Sequence, residues 1–363
     1  MPKINKIAVF YVEPTKYSVY TAENFHLPQG SAVYYRYTRT EHNNDVRRKG
    51  TIFMDKMSFI KMLKLIFKTW RTTDLIICNG YSYNYFIVPF LLNFMSRKKV
   101  VLAIESDTMF SDKKRKGIKG KLKTIIKQLI FSNKCVFGLS GGSLLHRAYF
   151  TKNGMPDTRV FLAPMISVPY NEEVDFEKKK LKNDFTFLFV GRLVHIKNIP
   201  LLISAFVKTF PNSVGVKLKI VGKGPLKDEL KSSCKDIDNI EFVGAKFGEA
   251  LEKEYLDADV LVLPSFSDQW GLVINEALSY GLPVIASEGV GAAHDLIKTP
   301  QTGIVFKNNS LEDLSTSMLS LYENPIMTLE LAKKSYFFMK DNWNLNYYKN
   351  NINNFIHEIE KSN

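Results

Sequence analysis

Short apolar runs alternate with helical stretches along nearly the whole chain, and this alternation limits what it can fold into. In the first half the runs are KIAVFYV, AVYYRY, LIIC, KVVLAI, CVFGL and RVFLAP; in the second they are FTFLFVG, KLKIVG, IEFVG, DVLVLP, PVIAS and GIVF. Helical stretches such as IPLLISAFVKTF, LKDELKSSC and GEALEKEYLDA lie between the later runs. Apolar strands flanked by Gly or Pro and separated by helices read as βαβ units, so the sheets should be parallel and covered on both faces. The segment Ser167–Asp184 is charged, has few apolar residues and has no periodicity, and each half restarts a βαβ series around it. The expectation is an α/β chain with a first domain over 1–170, a second over 171–340, and a terminal helix over 341–363 packing back across the junction. Two doubly wound domains of this kind bind ligands at the carboxyl ends of their strands, facing a central cleft.

Composition narrows the setting. Of 363 residues, 45% are hydrophobic, too many for a disordered chain. Cys78, Cys135 and Cys234 are far apart and odd in number, which predicts neither a disulfide framework nor a cysteine zinc site and fits a reducing cytoplasm. The first residues, MPKINKIAVFYVEP, read as a first strand over Lys6–Val12 and not as a signal peptide. Leu75–Ser96 runs for 22 residues without a charge and imitates a membrane span. Its Asn79-Gly80 pair and Pro89 argue instead for a buried strand, a turn and a helix near Tyr85–Met95.

The net charge of +14 is concentrated: Lys113 to Pro156 holds eleven Lys and Arg and no acid. Within it Leu122, Ile125, Ile126, Leu129 and Ile130 follow helical spacing, while Lys119, Lys123 and Lys127 recur every four residues on another face. Two readings stand: a core-packed helix with a solvated basic face, or a surface including Lys116, Lys119, Lys123 and Lys127 that adheres to anionic lipid, where each clustered cation gains roughly 1 kcal/mol. No nucleic-acid recognition motif accompanies the charge.

The chemistry-bearing residues cluster at strand ends. In DVLVLPSFSDQWGLVINEALSYGLPVIASEGVG, a strand ends in a polar loop and a helix opens near Gly271. The N–H groups of Gly271, Leu272 and Val273 at a helix start make an anion site, which a glycine lets a phosphate approach closely. Glu276 offers two acceptor oxygens to a vicinal diol such as a ribose. Gly191-Arg192-Leu193 with Lys197 stands at another strand end, where a guanidinium and an ammonium can grip a diphosphate. Gly222-Lys223-Gly224-Pro225 forms a third turn. Each turn alone is common; the three in order are not.

With these motifs the segment Phe185–Glu323 resembles the nucleotide-sugar-binding domain of the retaining GT-B glycosyltransferases of family 4. The FVGRL…K turn, the VGxGP turn and a paired-acid segment followed by EAxxxGxPVI occur there in this order. The resemblance implies two Rossmann-like domains of the GT-B fold and a donor pyrophosphate held by Arg192 and Lys197. It also implies a ribose held by Glu276, and phosphate and sugar contacts from Gly271–Val273. Asp268 stands where the family usually has a Glu beside the donor sugar. Ala103–Asp107, the basic helix and Ser140–Ser143 are similar to amino-terminal domains of polysaccharide-assembling members. There Glu105 and Asp107, at a strand end, are expected to face the cleft and to orient the acceptor hydroxyl or balance charge beside the reacting carbon. His26, His146 and His195 are further candidates.

No Asp-x-Asp pair stands at a strand end, so the expectation is a metal-independent enzyme without a cofactor. It takes a UDP- or GDP-linked sugar as co-substrate and a lipid-linked saccharide as acceptor, and works in the cytoplasm against the inner face of the membrane. Two alternatives stay open: an epimerase-like enzyme acting on the donor alone, and a non-catalytic nucleotide-sugar or nucleic-acid binder.

Overall fold

The computed structural model describes residues 3–25, 27–37, 51–111, 117–170, 172–177, 184–211 and 214–361. It divides into two compact units, Met1–Val168 together with Leu345–Asn363, and Pro169–Asn344. Each carries one parallel sheet between helices, a Rossmann-like architecture in both units.

In the first unit the strands are β1 (Ile7–Tyr11), β2 (Ala32–Tyr35), β3 (Ile52–Phe53), β4 (Leu75–Asn79), β5 (Val101–Ser106), β6 (Val136–Ser140) and β7 (Val160–Leu162). They lie in the order β3-β2-β1-β4-β5-β6-β7, so the chain reverses direction across the sheet between β1 and β4. Every pairing is parallel, which needs a right-handed crossover between neighbours. Helices Phe59–Thr72, Asn84–Met95, Ile118–Ser132 and Leu145–Thr151 cover one face. Their Ile66, Trp70, Phe86, Phe131 and Phe150 share one buried cluster with Phe10, Ile76 and Leu102 of the strands. Helices Lys16–Asn24 and Leu345–Lys361 cover the other face. Phe355 packs on Phe137 of β6 at 5.9 Å and on Phe161 of β7 at 5.1 Å between ring centroids.

The charge-free stretch Leu75–Ser96 resolves into β4, a turn with Gly80 at φ 83°, and the helix Asn84–Met95. Asn93 is buried in that helix because it works as a clamp. Its Oδ1 accepts from Trp70 Nε1 at 3.0 Å, and its Nδ2 donates to the Val100 carbonyl at 2.8 Å. Among the described residues no helix is long and apolar enough to cross a membrane.

The second unit has β8 (Phe185–Val190), β9 (Val216–Val221), β10 (Ile240–Gly244), β11 (Val260–Leu263), β12 (Val284–Ser287) and β13 (Gly303–Phe306), in the order β10-β9-β8-β11-β12-β13. The reversal of direction falls between β8 and β11, the place where open α/β sheets bind ligands.

The tail, expected as one terminal helix over 341–363, follows a break in a longer helical stretch. That stretch is two helices, Pro325–Asp341 and Leu345–Lys361. The break lets Trp343 turn inward, where it stacks on Trp270 at 5.9 Å. The first of these helices belongs to the second unit and the last to the first.

Candidate active site

Three of the turns singled out in the sequence follow β8, β9 and β11, adjacent strands at the middle of the second sheet. The β8 turn is the hub. Gly191 N donates to the Val221 carbonyl at 3.0 Å, Leu193 N to Lys223 O at 2.9 Å, and Leu226 N back to Leu193 O at 3.1 Å. The two loops approach so closely that a Cβ on Gly222 would stand 1.9 Å from the Gly191 carbonyl oxygen. One on Gly224 would stand 2.3 Å from Leu193 O. Backbone packing therefore accounts for both glycines by itself.

The β11 loop is tied to the same hub. Phe266 N donates to Ile196 O at 2.9 Å, and the Lys197 ammonium forms an ion pair with the Asp268 carboxylate. Lys197 and Asp268 are 15% and 19% exposed, so the pair is largely withdrawn from solvent. Lys197 rides over the bare face of Gly191, whose missing Cβ would lie 3.8 Å from Lys197 Cε. Asn198 takes the left-handed conformation, φ 51°, as the chain turns into the helix Ile199–Thr209. Arg192 is exposed on this turn and pairs with no carboxylate among the described residues.

Asp268 is fixed on both sides of its main chain. Its N–H donates to Gly289 O at 3.0 Å and its carbonyl accepts from Gly291 N at 2.9 Å. Gly271 then caps the helix Leu272–Ser279 at φ 90°; a Cβ there would strike Val290 at 2.9 Å and lie 3.7 Å from Asp268 Oδ2. The carboxylate thus stands at a helix start, where Leu272 and Val273 have no intrahelical acceptor for their N–H groups.

Glu276, half-buried in that helix, accepts a 2.8 Å hydrogen bond at Oε2 from Tyr255 of the helix Glu249–Asp257. Burial, reinforced by the neighbouring Glu276, pushes the Tyr255 phenol well above its ordinary range, so it stays a donor. Tyr280 stacks on Tyr255 at 5.2 Å and is raised for the same first reason. Neither tyrosine was singled out in the sequence, since both act across the fold on a residue more distant than any local spacing reveals.

The first unit places its candidates differently. Glu105, at the end of β5 and expected to face the cleft and orient the acceptor hydroxyl, is buried at 2% exposure. Tyr17 donates to its Oε1, while Oε2 is buried without a hydrogen-bond partner. Burial pushes this carboxyl up to about 7, against the lowering effect of the Tyr17 hydroxyl. Tyr11 and Tyr348 complete the aromatic surround. His146 is buried and His195 exposed. In the basic helix Ile118–Ser132 only Gly120, Ile130 and Phe131 are buried; Lys119, Lys123, Leu122 and Leu129 all face outward. Lys127 lies over the Tyr149 ring at 5.1 Å. Lys116 and His26 fall outside the described residues.

Residues 171–336 match the family model described as glycosyl transferases group 1, so the second unit carries a domain of that kind. An uncharacterized glycosyltransferase of Methanocaldococcus jannaschii is 34% identical over 144 residues, 38% of this chain and 36% of that protein. A sulfoquinovosyl transferase of Arabidopsis thaliana is 34% identical over 137 residues, 37% of this chain and 26% of that protein. The chain thus spans about a third of the length of these curated relatives. Among solved structures, Anabaena HepE in complex with UDP and glucose superposes with a TM-score of 0.72 at 15% identity, over 98% of this chain and 99% of that one.

Proposed function

We propose that the chain is a retaining, metal-independent glycosyltransferase. In this reading it moves a sugar from a UDP- or GDP-linked donor to a lipid-linked saccharide in cell-surface polysaccharide assembly, against the inner face of the membrane. Breaking the bond from the anomeric carbon leaves negative charge on the diphosphate and positive charge on the sugar ring. Fixed cations and helix-start N–H groups aimed at the diphosphate lower that barrier. Arg192 and Lys197 supply the cations and the Gly271–Val273 backbone the N–H groups. Glu276, with one oxygen held by Tyr255, accepts from the ribose diol. Asp268 stands beside the donor sugar, and the departing diphosphate takes the proton of the attacking hydroxyl. With its carboxyl beneath Tyr17, Glu105 enters as a group that positions the β5 end, not one that touches the acceptor.

The observation that carries the reading is the joining of the three turns through Leu193, Phe266 and the Lys197–Asp268 pair at the sheet's reversal point. Similar proteins support it: HepE was solved with UDP and glucose, and the Arabidopsis relative is a sulfoquinovosyl transferase. The basic outward face of Ile118–Ser132 supports the membrane-borne acceptor.

The test incubates the chain with UDP- and GDP-sugars, with and without a polyprenyl-diphosphate-linked saccharide, and reads product and anomeric configuration by NMR. Transfer with retention is expected, and Arg192→Ala should lower kcat/KM about 100-fold or more, as losing one preorganised charge donor does. Conversion of donor to an isomer without acceptor, or only a few-fold loss in the variant, would overturn it.

A further inference from the structure

The helix Asn84–Met95, inside the charge-free stretch, takes no part in the donor site. It rests on the first sheet through Tyr85, Phe86, Pro89 and Asn93. Its exposed residues are Ile87, Leu91, Phe94 and Met95, one stripe at helical spacing and entirely apolar. Phe94 is 64% and Met95 85% exposed. A monomeric surface does not ordinarily spend a whole helix face this way.

Its neighbours give the stripe its setting. Right-handed crossovers put Phe59–Thr72, Asn84–Met95 and Ile118–Ser132 side by side on one face of the sheet, and their inner residues Ile66, Phe86 and Phe131 share one core. The flanking helices mix exposed apolar and basic residues. One shows Ile60, Lys64, Phe67 and Lys68; the other shows Lys119, Leu122, Lys123 and Ile126. The three helices contain no Asp or Glu, and Arg97, Lys98 and Lys99 follow the middle one.

We propose that this three-helix layer is a membrane-docking face. Asn84–Met95 lies in the plane of an anionic leaflet with its stripe among the acyl chains, and the flanking lysines and arginines meet the headgroups. The inference rests on the reading of a membrane-borne acceptor and names the structure that reaches it. At 12 residues the helix is about 18 Å long, too short for the roughly 30 Å hydrocarbon core, which leaves in-plane insertion as its way into a bilayer. A charge-free ridge between basic flanks matches a leaflet with an apolar interior and an anionic surface. Pairing this face with a second copy of itself would set lysine against lysine.

The test uses the full chain and its Leu91→Gln/Phe94→Gln and Lys119→Gln/Lys123→Gln variants, co-sedimented with vesicles of phosphatidylcholine alone or mixed with phosphatidylglycerol. The apolar variant should lose about tenfold or more in partition to the anionic vesicles, since two large side chains no longer leave water. Its affinity for UDP and GDP should stay unchanged. The emission of Phe94→Trp should be quenched by lipids brominated along the acyl chain. If the apolar variant binds as the wild type does while the lysine variant is released, adsorption is to headgroups alone and the inference fails. It also fails if the wild type runs as a dimer that Leu91→Gln/Phe94→Gln splits. Wild type that binds no vesicle but still binds a nucleoside diphosphate would overturn both this inference and the membrane-borne acceptor, while leaving the donor site standing.

Discussion

A diphosphate arriving at Lys197 has to share that ammonium with Asp268, and this sets opposite signs for two substitutions. A phosphate oxygen on the far side of the ammonium stands about 6 Å from the carboxylate. There the repulsion is about 3 kcal/mol per unit charge at an effective dielectric of about 20, and about 0.7 kcal/mol in bulk water. At 15% and 19% exposure the pair lies between these limits. Taking about 1–2 kcal/mol, Asp268→Asn should bind UDP or GDP about 5- to 30-fold more tightly than the wild type. Lys197→Met removes a charge-assisted hydrogen bond worth about 1.5–3 kcal/mol and should weaken binding about 10- to 150-fold. On the proposed reading sugar transfer should fall in both variants, since Lys197 would hold the diphosphate and Asp268 would stand beside the donor sugar. Isothermal titration calorimetry at low and high salt separates the terms, since the gain in Asp268→Asn should shrink as salt rises. The reasoning is refuted if Asp268→Asn weakens nucleotide binding as much as Lys197→Met does. Asp268 would then hold Lys197 in place and not compete for it.

Glu105 predicts a pH dependence of stability. With its carboxyl raised from 4.5 to about 7 by burial, the folded chain keeps a proton that the unfolded chain releases, so stability should fall as pH rises through that window. The loss should reach about 3 kcal/mol by about pH 8, and Glu105→Gln should abolish it; urea unfolding across the range shows either this slope or its absence. Gly224→Ala places a Cβ 2.3 Å from Leu193 O. It should cost about 1–3 kcal/mol by overpacking and lower UDP or GDP affinity by parting the two turns, and an unchanged urea midpoint would contradict that packing.

Much of the fold was legible because a parallel sheet buried on both faces writes itself as apolar runs. LIIC, FTFLFV and DVLVLP all stand as strands, and the turn at Gly80 separates a strand from a helix in a stretch long enough to imitate a span. The two-residue strand Ile52–Phe53 has too little pattern to be read. The break before Leu345 was hidden because what ends the helix is the packing of Trp343 on Trp270, a contact between residues 73 positions apart. Periodicity in Ile118–Ser132 marked a face without saying what covers it, and the structure turns Leu122 and Leu129 to solvent. At the candidate site, strand-end glycines and cations were visible as local motifs. The Lys197–Asp268 pair, the Tyr255 bond to Glu276 and the burial of Glu105 under Tyr17 arise from strand order and side-chain packing, which local spacing does not encode.

The central claim is that the turns after β8, β9 and β11 form one nucleoside-diphosphate site. Calorimetric titration of UDP, GDP, ADP and CMP into the wild type and Arg192→Ala tests it most directly. Selective binding of UDP or GDP is expected, weakened about tenfold or more when the guanidinium is removed. Binding of none of the four, or equal binding by both proteins, would contradict it.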